Sequence, residues 1–323
     1  MISTAIRYAL EQVEVPSGPS LWLCGEPEVP HADAYQPRQD RAQALLGKGH
    51  KVFSDWEKIG RDYASVFLHC PKQRDESEGL MALAFDRSQG FVMAVAENDA
   101  GGTRLRKMME AYNVPVFSEG KSHCRIVWTL AAPQADRAVI DQNLSQLAPR
   151  QVEMEGEAWW SIPGLFSWDR VDPGSQLLLQ HLPPNLGGRI ADFGCGYGYL
   201  SAKVANLYPS VKQIDAYDID ARAVFCCAKN NGDKVKAVWQ DIASLKANPI
   251  YNTVIMNPPF HTGKEVDIEL GQAFIQKAGE CVKPGGRLFL VANRRLAYEH
   301  VVPGLESLHE SGGYKILTAT ASS

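Results

Sequence analysis

No apolar run in this sequence approaches the roughly 20 residues that a membrane-spanning helix needs, so that class of protein is excluded. CxxC pairs are also missing, and the seven cysteines (24, 70, 124, 195, 226, 227 and 281) are odd in number. Both facts speak against a disulfide framework and against a structural zinc site, so buried reduced thiols and no metal are expected. An excess of charge is lacking too. There are 33 Lys and Arg against 37 Asp and Glu, shared evenly between the two halves, so neither half is a basic nucleic-acid binder in bulk. RNA contact is left to local clusters such as Arg104-Leu105-Arg106-Lys107 or Arg294-Arg295, and each alone fits a solvated face better. Residues Met1 to Arg7 show no basic n-region and no apolar h-region comes after them, so the expected location is cytoplasmic.

The 323 residues present suffice for two ordinary domains. A junction is expected between Ala131 and Glu157, where Ala-Ala-Pro, a short helical pattern and the acidic Glu153-Met154-Glu155-Gly156-Glu157 separate two strand-rich regions. This gives boundaries of 1–150 and 151–323. The halves repeat an order of elements. Strand Thr253–Met256 with the proline turn after it, a helix, Gly285–Asn293 and Gly313–Thr318 in the second match Ser65–Lys72, a helix, Gly90–Asn98 and Ser122–Thr129 in the first, where His69-Cys70-Pro71-Lys72 stands in place of the proline turn.

The apolar strand Thr253–Met256 runs into Asn257-Pro258-Pro259-Phe260. Two prolines fix φ and remove N–H groups, and Pro258 biases Asn257 toward an extended conformation. The Asn257 side-chain oxygen and the Pro258 carbonyl are then placed to accept both hydrogens of an exocyclic amine, with Phe260 as a ring for stacking. An ordinary strand-ending turn has the same composition.

Further upstream, strand Arg189–Phe193, the loop Gly194-Cys195-Gly196-Tyr197-Gly198 and a helix from about Leu200 form the first β-loop-α of a doubly wound α/β fold. The acid Asp192 beside the glycines would repel a pyrophosphate, which disfavours a dinucleotide dehydrogenase. The loop suits a cation, and S-adenosylmethionine, a sulfonium without phosphate, fits. Asp218 ends the second strand and is placed to take the ribose hydroxyls, while Asp220 suits a helix cap. Asp241 comes after the third strand, in reach of an adenine amine. Asp172, Gly174 and Ser175 stand at the start of an apolar helix, Gln176–Leu182, where they could close over the methionine end. Asp172, Ser175 and Asp241 serve equally well as helix caps. Asp192, Gly194, Cys195, Gly196, Gly198, Asp218, Asp241, Asn257, Asp172, Gly174 and Ser175 are thus the expected cofactor contacts.

Asp192-Phe193-Gly194-Cys195-Gly196-Tyr197-Gly198, Asp218 and Asn257-Pro258-Pro259-Phe260 together resemble the class I S-adenosylmethionine-dependent methyltransferases that modify amino nitrogens. With Pro163-Gly164-Leu165-Phe166-Ser167, Asp172-Pro173-Gly174-Ser175 and His261-Thr262-Gly263 added, the second half is similar to the bacterial 16S ribosomal RNA guanine-N2 methyltransferase C family. That resemblance implies two tandem Rossmann-like domains, with mostly parallel sheets and an antiparallel C-terminal hairpin strand. It implies a degenerate first domain (1–150), without cofactor and serving RNA binding or support, and a catalytic second (151–323). It also implies methyl transfer to N2 of a guanine in small-subunit ribosomal RNA, with Asn257, Pro258 and Phe260 catalytic. A monomer without metal or membrane attachment is expected. The first half carries one glycine, Gly25, after Leu21–Cys24, and Lys72 where the second has Phe260. His261 is a candidate proton acceptor and equally an ordinary surface histidine. Three other readings stay open: a 23S ribosomal RNA guanine-N2 enzyme, a protein glutamine or DNA adenine methyltransferase, and a non-catalytic RNA-binding assembly factor.

Overall fold

The computed structural model describes residues 1–130, 134–258, 261–262, 265–266 and 268–322. The chain divides into two compact units: Met1–Pro149 with Ile162–Gly164, and Arg150–Ser161 with Leu165–Ser323. In the first, helix α1 (Ile2–Gln12) precedes strands β1 (Ser20–Leu23) and β2 (Asp33–Tyr35). Then come α2 (Gln39–Gly47), β3 (Lys51–Phe53), β4 (Tyr63–His69), α3 (Arg74–Arg87) and β5 (Ser88–Glu97). Helix α4 (Gly102–Glu110), β6 (Phe117–Lys121), β7 (Cys124–Trp128) and α5 (Arg137–Leu144) complete it.

The second unit starts with hairpin β8 (Arg150–Met154) and β9 (Glu157–Ser161), then α6 (Pro173–Gln180), β10 (Gly188–Phe193), α7 (Tyr199–Leu207) and β11 (Val211–Asp218). Next are helix α8 (Ala221–Asn230), β12 (Val235–Trp239), β13 (Tyr251–Met256) and the small pair β14 (His261–Thr262) and β15 (Glu265–Val266). Last are α9 (Ile268–Cys281), β16 (Val282–Asn293), β17 (Glu306–Ser311) and β18 (Tyr314–Thr320).

Both large sheets have seven strands in equivalent order, β3-β2-β1-β4-β5-β7-β6 and β12-β11-β10-β13-β16-β18-β17. Five strands of each are parallel, and the last two pair antiparallel. This is the tandem Rossmann-like, class I methyltransferase architecture that the family resemblance implied. Side-chain alternation explains why helices cover both faces. In the first unit Leu21, Leu23, Val66 and Leu68 join a core with α3 and α4, while Trp22 and Phe67 join another with Ala5, Ile6 and Ala9 of α1. In the second unit Ala191, Phe193, Val254 and Met256 pack with Phe274 and Ile275 of α9, and Ala216 packs on the opposite face with Cys227 of α8.

Two local readings are corrected. The acidic stretch Glu153–Glu157, expected as linker, is a two-residue hairpin, because Glu155 (φ 54°) and Gly156 (φ 78°) both take the positive φ that such tight turns need. Helix α6 begins at Pro173 and not at Gln176: proline fits the first helical position, and Asp172 caps it by accepting from Ser175 N at 2.8 Å.

Candidate active site

The strand order reverses between β10 and β13, and the crevice outside their carboxyl ends is where an open α/β sheet has room for a ligand. Loop 194–198 enters it from β10. Gly194 N and Cys195 N both donate to Tyr217 O at 2.9 Å, tying the loop to the end of β11. Gly196 N then donates to Asp218 Oδ2 at 2.8 Å, and Asp218 Oδ1 accepts from Asp220 N at 2.9 Å. Asp220 caps α8 through Arg222 N and ion-pairs with the Arg222 side chain.

Gly198 shows why the last loop glycine is needed. Its φ is 93°, and a Cβ there would lie 2.5 Å from Asn231 Nδ2 and 3.0 Å from the Cys227 backbone. The first two glycines do something else: a Cβ on Gly196 meets nothing within 4 Å, and one on Gly194 meets only Asn257 O at 3.8 Å. Backbone at these two points is open to a ligand.

Asp192 lies behind the loop, 0% exposed, with its Oδ2 accepting from Ser201 Oγ at 2.6 Å. Its Oδ1 has no hydrogen-bond partner among the described residues. Burial pushes this carboxyl up to about 7, against the Ser201 hydrogen bond and with help from the Asp218 charge. Cys195 is buried as well, and its contact with the Cys227 thiol, together with burial, raises its pKa well above the ordinary thiol range. It is an inert packing group in the sense that its thiolate is suppressed.

The turn after β13 is held from α6. Asn257 Nδ2 donates to Asp172 Oδ2 at 2.8 Å and to Ser175 Oγ at 2.9 Å. A carboxylate only accepts, so the Asn257 amide nitrogen must face Asp172, and the end left to serve a ligand is the acceptor Oδ1. Pro258 is buried beside it. Tyr314, opposite Asp172, lies against Gly174, where a Cβ would be 3.1 Å from the tyrosine ring. Pro259 and Phe260 lie outside the described residues, as does the side chain of His261.

Of the residues expected from sequence, Asp172, Ser175, Gly194, Cys195, Gly196 and Asn257 line one cleft. Asp218 borders it through Gly196, Gly174 sits in the first turn of α6, and Asp192 and Gly198 support the loop from behind. Asp241 caps the short turn Ile242–Ser244 by accepting from Ala243 N at 3.0 Å, and does not line the cleft. Sequence reasoning passed over Ser201, Asn230 and Asn231. Asn230 Nδ2 donates to Tyr197 O and Trp160 O, each at 2.8 Å, and Asn231 Nδ2 donates to Cys227 O at 2.8 Å and to Gly198 O at 3.4 Å, so both asparagines brace the loop. Their only sequence signal was a pair of amides ending α8. A larger, mainly apolar cleft lined by Val282, Leu288, Val302 and Ala319 lies toward the amino ends of β13 and β16, and none of the loop residues reaches it.

Among the described residues no Lys or Arg lines the candidate cleft, whereas Asp172 does, with Asp218 at its margin and the orphaned Asp192 oxygen behind the loop. A pyrophosphate would find no described cation there to offset those carboxylates. A sulfonium compound with an amino group and a ribose fits this donor and acceptor set.

The first unit has the same sheet with different groups at the equivalent strand ends. β1 ends at Leu23, and among the described residues no helix stands between it and β2. At the end of β4, His69 is buried enough to hold its pKa down to about 4, and Arg104 donates to Lys72 O at 2.6 Å.

Residues 157–318 match the family model described as methyltransferase small domain. The ribosomal RNA small subunit methyltransferase C of Pseudomonas paraeruginosa is 35% identical over 271 residues, covering 79% of this chain and 78% of the relative. Its namesake from Pseudomonas entomophila is 31% identical, covering 81% and 80%. A solved structure of the Thermus thermophilus 16S rRNA N2 G1207 methyltransferase, in complex with AdoMet and guanosine, superposes with a TM-score of 0.81. It covers 98% of this chain and 92% of that one at 22% identity, a likeness of fold. Because relatives above 30% identity run across both units and not the second alone, the chain belongs to the ribosomal RNA small subunit methyltransferase C family.

Proposed function

We propose that this protein transfers a methyl group from S-adenosylmethionine to the exocyclic N2 amine of a guanine in 16S ribosomal RNA. The observation that carries the reading is the fixed Asn257 amide, whose nitrogen is committed to Asp172 and Ser175. S-adenosylmethionine supplies an electrophilic methyl carbon on a sulfonium. Asn257 Oδ1 and the Pro258 carbonyl accept the two N2 hydrogens, which favours pyramidal nitrogen and aims its lone pair away from the ring. The new N–C bond forms as the S–C bond breaks, and the proton leaves N2 afterwards, once that nitrogen carries positive charge. No strong base is required, so the residues contribute mainly orientation and electrostatics.

Asp218 takes the ribose hydroxyls, Gly194, Cys195 and Gly196 lie along the cofactor backbone, and Asp172, Gly174 and Ser175 close the methionine end. Asp192 and Gly198 shape the loop from behind, and Asp241 belongs to the adenine end. Phe260 stacks on a guanine flipped out of the RNA. The first unit, without the glycine loop, grips or supports RNA. The working form is a cytoplasmic monomer; among the described residues no helix is long and apolar enough to cross a membrane.

The reading is tested by incubating the protein with methyl-labelled S-adenosylmethionine and unmodified small or large ribosomal subunits, then mapping the label. A single labelled guanine in 16S RNA, with label at N2, is expected. Label confined to 23S RNA, or to neither, refutes the assignment.

A further inference from the structure

β16 outlasts its neighbour. Met256, the last residue of β13, pairs with Leu290, while β16 continues to Asn293. At about 3.3 Å per residue, Asn293 stands roughly 10 Å past the level of Met256, where β13 ends. The chain turns there in a fixed way. Asn293 Oδ1 accepts from Arg295 N at 3.0 Å, Arg294 N donates to Gly313 O at 2.9 Å, and the buried Leu296 and Tyr298 anchor the segment after the turn. The partner turn, through Tyr314, lies against Gly174 at the start of α6, the helix whose Asp172 and Ser175 hold Asn257. Arg294 and Arg295, both exposed, are therefore carried on a rigid rim one strand away from the acceptor turn.

Their isolation is unusual within this unit. The other five arginines are each engaged: Arg150 over the Trp168 ring, Arg170 with Asp169, Arg189 with Asp215, Arg222 with Asp220, and Arg287 with Asn185. Among the described residues Arg294 and Arg295 have no such partner, and the nearby Glu299 is taken by Lys315. Two exposed guanidinium forks with no partner among the described residues, beside a cleft whose described lining holds no cation, suit an anion that passes the cleft without entering it. A base flipped into the cleft leaves the phosphates on its two sides outside it.

We propose that Arg294 and Arg295 grip backbone phosphates flanking the target guanine and so position the RNA strand over the Asn257 turn. This rests on the function proposed above. They are positioning residues, whose effect is on RNA affinity and register and not on the transfer step.

The test compares wild type with Arg294→Ala, Arg295→Ala, the double variant and the matching Lys variants. Steady-state methylation of unmodified small subunits, RNA binding across a salt series and S-adenosylmethionine affinity are measured. We expect KM for the subunit to rise roughly tenfold for each alanine, with kcat and cofactor affinity nearly unchanged. The slope of log affinity on log salt should shrink by roughly 0.7 per lost contact to a single strand. Lysine should keep the slope and recover part of the affinity. An active wild type with the double variant unchanged in KM and slope overturns the proposal and leaves the function standing. Loss of cofactor affinity in parallel with RNA affinity would mean a structural role and also overturns it. A wild type that labels no 16S RNA removes the function and this proposal together.

Discussion

Replacing Asp192 by asparagine should stabilise the protein alone and weaken its hold on the cofactor. The carboxyl is 0% exposed, with one oxygen unpartnered among the described residues, and burial moves it from an ordinary 3.8 to about 7. Holding it ionised in the fold thus costs roughly 4 kcal/mol relative to the unfolded chain. Between pH 4 and 7 the folded form binds more protons than the unfolded one, so this group's contribution to stability is full below about 4. It is lost as pH rises through about 7. Asparagine keeps an acceptor for Ser201 Oγ and removes the titration, so above about pH 7 the variant should be the more stable by a few kcal/mol at most, with the pH slope between about 4 and 7 flattened.

A cation bound in the neighbouring cleft reverses the balance. At about 6 Å and an effective dielectric near 20, a positive charge favours ionised Asp192 by roughly 3 kcal/mol. Cofactor binding to wild type should therefore expel a fraction of a proton near pH 7 and tighten as pH rises from about 6 to 8. In Asp192→Asn, affinity should be roughly a hundredfold weaker above pH 7 and flat with pH. Thermal unfolding across pH, and calorimetric titration in buffers of different ionisation enthalpy, read both halves. A variant with the wild-type stability slope, or a wild type that binds cofactor without proton release, refutes the reasoning.

The loop and the turn give two further outcomes. Asn257→Ala should lower turnover by about 100-fold or more while S-adenosylmethionine affinity changes little, and Asp172→Ala should reproduce much of that loss because the amide is then free to rotate. Equal loss of cofactor affinity in Asn257→Ala would contradict the roles, as measured by single-turnover kinetics beside calorimetry. Gly198→Ala forces a Cβ to within 2.5 Å of Asn231 Nδ2 at φ 93°, so it should cost roughly 2–4 kcal/mol in chemical denaturation and weaken cofactor binding. An alanine variant with wild-type stability would show that the loop is looser than its contacts imply.

What the sequence disclosed and what it hid divide along chain distance. The glycine loop, Asp218, the capping Asp220 and the turn at Asn257 sit where a strand ends, and strand ends are legible from local pattern. The partner of Asn257 was not: Asp172 lies 85 residues earlier, and its own sequence context reads as a helix cap, which it also is. The same holds for Ser201, whose hydroxyl faces Asp192 because both stand on the inner side of α7 and β10. The hairpin at Glu155-Gly156 was missed for a different reason. Its acidic composition looks like solvated linker, while the turn is selected by two positive φ values that a glutamate seldom adopts.

The two units then explain why one sheet can be kept while its chemistry is not. The strand order is the same in both, since it is set by alternating apolar side chains spread over whole strands, such as Leu21, Leu23, Val66 and Leu68, and many single changes leave such a pattern intact. The cleft of the second unit depends on far fewer groups. It needs a helix that starts directly after β10, open glycine backbone at 194 and 196, a carboxylate at the end of β11 and an amide locked by α6. In the first unit the chain leaves β1 through Cys24, with φ 59°, and among the described residues reaches β2 without an intervening helix, and β4 ends in a partly buried histidine whose desolvation favours the neutral ring. Loss of one helix start removes the amide donors of the loop and the glycine geometry together, so restoring a single residue at Lys72 or His69 would not rebuild a cleft there.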